Sequence, residues 1–151
     1  MSNKKVLGAK PNVYDNIEFK SILEKSCYKK LKEAKLNFAY ESEKILIWEG
    51  FKIENIQSYS PKKIKAGKYG KELLLQKRRI LDITYTPDFV VVKGNYKIYF
   101  DVKGKENDVY PLKKKMFLKI LENRKDKYTY LFFEPHNVRQ MVQAIEIIKL
   151  L

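Results

Sequence analysis

The chain has 151 residues, 44% of them hydrophobic, and 32 Lys and Arg against 18 Asp and Glu give it a formal charge of +14. That length fits one domain, 1–151, with a substantial core; the lone Cys27 excludes an internal disulfide, and no apolar run approaches membrane-spanning length. The N-terminus lacks a signal-peptide core, so the expectation is a cytoplasmic chain, in the host cytoplasm if viral, with a polyanion as partner and no membrane.

Val13 to Phe19, around Asp15-Asn16, predicts a short arm or hairpin. Ser21 then begins a helix to about Lys35, with Leu23, Cys27, Leu31 and Ala34 on one apolar stripe. Phe38 to Tyr40 and Ile45 to Trp48 are short strands, joined by Glu41-Ser42-Glu43-Lys44. From about 58 to 72 the composition changes: Lys62, Lys63, Lys65, Lys68 and Lys71 occur with Pro61, Gly67 and Gly70, which predicts a basic loop or insertion. Strand character returns near Arg79 and continues to Lys103. Pro111 starts a second helix to about Asn123, Tyr128 to Glu134 forms a strand, and Asn137 caps a last helix carrying Val138, Met141, Val142, Ile145 and Ile148.

The most informative segment is Thr86-Pro87-Asp88-Phe89, followed by Asp101-Val102-Lys103-Gly104. Between them, Val90-Val91-Val92 and Tyr96 to Phe100 are β-formers, and Lys93-Gly94-Asn95 carries turn chemistry, so the segment reads as a hairpin. With Gly94-Asn95 as a two-residue turn, Lys93 faces Tyr96, and counting outward sets Asp88 against Asp101. Lys103 shares their face, while Phe89, Val91, Ile98, Phe100 and Val102 collect on the other. Directly opposed like charges weaken a sheet unless a cation lies between them, and two carboxylates with retained waters suit magnesium or manganese. A hairpin with solvent-facing aspartates neutralised by Lys103 and Lys97 satisfies the same pattern. A three-residue turn would separate the carboxylates onto opposite faces.

Pro87-Asp88 followed by Asp101-Val102-Lys103 resembles the signature of the PD-(D/E)XK nuclease superfamily. The resemblance runs from about Gly8 to about Leu121 and is similar to small phage-encoded members grouped with Holliday-junction resolvases. It implies an α/β fold, a restriction-endonuclease-like sandwich with a central mixed β-sheet flanked by helices in the order α-β-β-β-α-β-α. It also implies a deoxyribonuclease using Mg2+ or Mn2+, with Glu24, Asp88, Asp101 and Lys103 as catalytic candidates. Asp88, Asp101 and Glu24 would be the metal ligands. Glu41, after Tyr40, is similar to a Tyr-Glu pair in some relatives and is a secondary candidate. Glu24 has a competing explanation, because Ser21-Ile22-Leu23-Glu24 is a capping box.

Two basic clusters are suited to backbone phosphates. Lys62, Lys63, Lys65, Lys68, Arg78 and Arg79 lie in a run opposed by Glu72 alone, and Lys113, Lys114 and Lys115 open the second helix. His136 reads as a turn or capping residue. The expected substrate is branched duplex DNA such as a Holliday junction; a nicking, restriction-like or transposon-end-cutting nuclease and a non-catalytic nucleic-acid-binding protein are the alternatives. Two coordinated incisions call for a homodimer, with the Val138-Met141-Ile145 stripe as one candidate interface and core packing as its other use.

Overall fold

A computed structural model of the chain describes residues 12–77, 79–104 and 108–151, and Arg78 lies outside the described residues. The fold is mixed α/β and divides into two compact units, Met1–Lys44 with Thr86–Leu151, and Ile45–Tyr85.

The first unit opens with strands β1 (Val13–Tyr14) and β2 (Ile17–Glu18), an antiparallel hairpin. Its two turn residues, Asp15 and Asn16, have φ of 51° and 60°, the left-handed region that short polar side chains tolerate best after glycine. Helix α1 (Ile22–Glu33) follows, its N-cap Ser21 accepting from the Glu24 amide. It ends in a Schellman arrangement: Leu36 N donates to Leu31 O, Lys35 N donates to Lys32 O, and Lys35 takes the positive φ usually left to glycine.

A four-stranded sheet forms the centre of this unit. Its order is β12 (Thr129–Phe133), β11 (Tyr96–Phe100), β10 (Phe89–Lys93), β3 (Phe38–Tyr40). The three strands β3, β10 and β11 are antiparallel neighbours, whereas β11 and β12 are parallel. Parallel neighbours need a crossover, which helix α2 (Tyr110–Asn123) supplies. The hairpin register is the expected one: Lys93 faces Tyr96, Val92 faces Lys97, Val90 faces Tyr99 and Phe89 faces Phe100.

Strand alternation then divides the two faces. Phe89, Val91, Ile98, Phe100 and Val102 pack with Cys27 and Leu31 of α1 and with Met141, Ala144, Ile145 and Ile148 of α3 (Val138–Lys149). On the opposite face, Tyr99 and Phe132 meet Phe117 of α2, with ring centroids 5.2 and 5.9 Å apart. The sheet therefore has helices on both sides, and fully burying such side chains is worth about 1.5–3 kcal/mol each. Asn137 caps α3 as expected, accepting from Gln140 N at 3.0 Å. The buried stripe of α3 is rotated from the expected one, since Val138 and Val142 remain exposed while Ala144 is buried. Met141 and Ile145 belong to the core, so these two residues of the Val138-Met141-Ile145 stripe serve packing, while Val138 is exposed.

Among the described residues, the second unit contains three antiparallel pairs: β4 (Ile45–Trp48) with β9 (Ile83–Tyr85), β5 (Phe51–Lys52) with β8 (Arg79–Ile80), and β6 (Tyr59–Lys65) with β7 (Lys68–Leu75). Gly50 allows the β5 and β8 ends to close: a Cβ there would stand 2.3 Å from Ile80 O. Its amide donates to Asp82 Oδ1 at 2.7 Å. Where turn chemistry predicts a basic loop, β6 and β7 form a hairpin, with Gly67 at φ +71° closing the turn. Among the described residues, no helix is long and apolar enough to cross a membrane.

Candidate active site

Asp88 immediately precedes β10, and Asp101 immediately follows β11. One step beyond the last hairpin pair, Phe89 with Phe100, the same register sets Asp88 against Asp101. The backbone at this end is fixed from both neighbours: Glu41 N donates to Asp88 O at 2.8 Å, Asp101 N to Phe133 O at 3.0 Å, and Lys103 N to Pro135 O at 3.1 Å. Asp88 is further fixed by its side chain, whose Oδ2 accepts from Val102 N at 2.6 Å.

Both aspartates are withdrawn from solvent, Asp101 at 1% exposure and Asp88 at 8%. This overturns the solvent-facing alternative. Lys97 is not their partner either, since its ammonium pairs with Glu43 at 2.6 Å. Lys103 does pair with Asp101 Oδ1, as expected of a cation on the same face. Its ammonium also lies 4.3 Å from the centroid of the Tyr110 ring, within range of a cation–π attraction.

Glu24 is the third buried carboxylate, at 6% exposure. Ser21 Oγ accepts from its amide at 3.0 Å and donates to its Oε1 at 2.9 Å, and Tyr40 Oη donates to its Oε2 at 2.7 Å. The carboxylate thus takes two hydroxyl donors, a cap that leaves lone pairs on both oxygens. Burial raises the Asp88 pKa strongly, the negative charges of Asp101 and then Glu24 raise it further, and Lys103 and the Val102 amide only partly offset them. The three acids therefore lie close enough to repel.

Glu41, half-buried at a positive φ of 44°, pairs with Lys20. Burial opposes the Lys20 charge, but Glu41, then Glu24 and Asp88, hold its pKa above the ordinary value. Lys20, Tyr40 and Tyr110 are the members of this site that sequence reasoning missed. The available signal was position: Lys20 directly precedes the N-cap, and Tyr40 directly precedes Glu41.

The basic candidates divide between the units. Lys62, Lys63 and Lys65 lie on β6, Lys68 on β7 and Arg79 on β8, all in the second unit, whereas Lys113, Lys114 and Lys115 lie on α2 in the first. Lys114 pairs with Glu134 at 2.6 Å, and Glu134 also accepts from Tyr110 and contacts His136 at 3.2 Å. His136 lies in the bend before α3, where its amide donates to Gln140 Oε1 at 2.6 Å, and the cap itself is Asn137.

Among the described residues, no group of three or more His, Cys, Asp or Glu side chains forms a ready-made metal cage. The donor set is instead a facing pair of aspartates with Glu24 near it. The three buried acids repel one another strongly enough to raise the Asp88 pKa despite Lys103, and a divalent cation with retained waters suits such a donor set. No family model matches the chain, and no match is found among curated proteins or solved structures.

Proposed function

We propose that the chain is a divalent-metal-dependent DNA endonuclease of the PD-(D/E)XK superfamily, with the restriction-endonuclease-like arrangement of that superfamily in its first unit. The observation that carries this reading is the burial of Asp88, Asp101 and Glu24 at the end of a hairpin, with the Lys103 ammonium paired to Asp101. Burying acids without full neutralisation costs several kcal/mol of desolvation per ion, a cost expected at a site built for chemistry. The succession α1, β3, β10, β11, α2, β12, α3 in the first unit supports the same reading.

In this reading Asp88 and Asp101 hold Mg2+ or Mn2+. Bound there, the ion would neutralise charge on the scissile phosphate and lower the pKa of a water. Lys103 stabilises the charge that develops on the phosphorane oxygens. Glu24, oriented by Ser21 and Tyr40, positions the attacking water and takes its proton. The basic surface, with a formal charge of +14, attracts the DNA. Branched duplex DNA is the preferred substrate and a homodimer the preferred assembly, since junction resolution needs paired incisions.

The test is cleavage of four-way junction, flap, nicked and linear DNA in magnesium, with EDTA controls. Magnesium-dependent cleavage of the junction in preference to linear duplex is the expected result. Cleavage confined to nicked or linear DNA would move the chain to the nicking or restriction-like alternative, and no cleavage of any substrate would leave a nucleic-acid-binding protein.

A further inference from the structure

The β6–β7 ribbon is an unusual element to leave in water. It has two strands, and almost every residue along both is exposed, including Ile64 at 67% and Leu73 at 68%. Isolated two-stranded hairpins are marginally stable in water, so a ribbon of this kind gains from being covered. Its charge identifies what covers it. Among the described residues Lys62, Lys63, Lys65, Lys68 and Lys71 have no carboxylate partner, and Glu72 is the one acidic residue along the two strands. At the tip, Lys65 directly faces Lys68, a like-charge pair that weakens a hairpin unless an anion lies against it. A second copy of the same ribbon would set lysine against lysine, so self-association fits the charge poorly.

Shape narrows the anion. Two strands about 4.8 Å apart, with side chains on either side, make a ribbon about 10–12 Å across. That width matches the major groove of B-form DNA, about 12 Å, and exceeds the minor groove, about 6 Å. The major groove of A-form RNA is too narrow to admit such an element. The side-chain chemistry fits as well: lysines reach phosphates or guanine edges, and exposed aliphatic groups such as Ile64 and Leu73 can meet thymine methyls. The register breaks between Pro61 and Lys63 and again between Lys63 and Lys65, and such irregularities increase the twist that lets a ribbon follow a helical groove.

We infer that the β6–β7 ribbon is a duplex-reading arm that lies in the major groove of B-form DNA, with Lys63, Lys65 and Lys68 at its contacting end. This rests on the proposed DNA substrate but not on the catalytic carboxylates. It assigns the ribbon a groove contact, beyond generic attraction to backbone phosphates.

The test measures binding of the full-length wild-type protein, in EDTA to prevent cleavage, to matched duplexes. One is unmodified, one carries glucosylated hydroxymethylcytosine filling the major groove, and one is preloaded with a minor-groove ligand. Filling the major groove should weaken binding by about tenfold or more, while the minor-groove ligand should change little. An RNA duplex of the same sequence should bind more weakly than the unmodified DNA. A Lys63→Ser/Lys65→Ser/Lys68→Ser variant should bind DNA less tightly, with a salt slope reduced by about 0.9 per lost phosphate contact, and should lose the sensitivity to glucosylation. Equal binding to filled and open grooves, or a variant that binds like wild type, would overturn the arm and leave the nuclease reading standing. Loss of dimer in the variant, with DNA affinity intact, would also overturn it by assigning the ribbon to self-association. Absence of DNA binding by the wild type would overturn the DNA reading as well.

Discussion

Tyr40 Oη donates to Glu24 Oε2 at 2.7 Å and ties the first turn of α1 to edge strand β3. Because Glu24 is buried, the donor fixes where its carboxylate points. Tyr40→Phe keeps the ring packing against Phe19 and Phe89 but removes the hydroxyl. Leaving a buried acceptor short of a partner costs about 1–3 kcal/mol, so the melting temperature should fall and the cleavage rate should fall with it. DNA affinity should remain that of the wild type. Unchanged melting and unchanged cleavage would mean that Ser21 alone orients Glu24.

Glu24→Gln separates capping from chemistry. The N-cap bond from the Glu24 amide to Ser21 Oγ does not use the Glu24 side chain, so α1 should keep its stability within about 1 kcal/mol. Glutamine cannot take a proton from water. Cleavage should therefore fall by about 100-fold or more, in the range contributed by a positioned general base. Wild-type cleavage by Glu24→Gln would assign this residue to the helix cap alone.

The pH dependence of stability follows from Asp88. Burial first, then Asp101 and Glu24, push its carboxyl from the ordinary 3.8 up to about 8. Between those values the folded chain binds this proton more tightly than the unfolded chain, so the stabilisation is full below about pH 4 and is lost as pH rises toward 8. A divalent cation must displace the proton, which makes binding tighter as pH rises. Without metal, the Asp88 contribution should make the wild type lose more thermal stability than Asp88→Asn on going from about pH 5.5 to about pH 8.5. The rise in melting temperature produced by magnesium should grow over the same interval. Identical pH profiles for wild type and Asp88→Asn would remove Asp88 as the titrating group.

Local pattern made part of this site legible in the sequence. Alternation through Phe89 to Phe100, with Gly94 at φ +55° in the turn, fixes the hairpin register, and the register alone sets Asp88 against Asp101. Ser21 and Glu24 were legible because a cap spans three residues. Tyr40 and Lys20 were not, since their contacts with Glu24 and Glu41 depend on the start of α1 meeting the end of β3, which no local pattern announces. The second unit was obscured for a similar reason. Ile45 pairs with Tyr85, and no local signal in Ile45 to Trp48 names a partner so distant. In the ribbon, Pro61, Gly67 and Gly70 advertise turns, yet Gly67 alone is at the hairpin turn, while Gly70 lies against Lys62 within the pairing. The α3 stripe was misplaced because Val138 and Val142 fit a helical period that begins one position away from the buried one.

Asp88→Asn and Lys103→Ala should fail in different ways. Asn can still accept from the Val102 amide, so the hairpin end should hold, but one anionic ligand and one repulsive charge are gone. Magnesium binding and cleavage should collapse, DNA binding should persist or tighten, and metal-free stability near pH 8 should rise because the protonation of Asp88 is no longer required. Lys103→Ala keeps all three carboxylates and removes the ammonium that pairs with Asp101 and faces the Tyr110 ring. Magnesium should still bind, and more tightly, since a competing cation has left. The cleavage rate should fall by about 100- to 1,000-fold, the loss seen when a preorganised electrostatic donor is removed. Calorimetric magnesium titration and single-turnover cleavage of both variants, with folding checked by circular dichroism, separate the two roles. Wild-type cleavage by a folded Asp88→Asn protein would sink the nuclease assignment at this site, and loss of magnesium binding in Lys103→Ala would make the lysine a structural counter-ion.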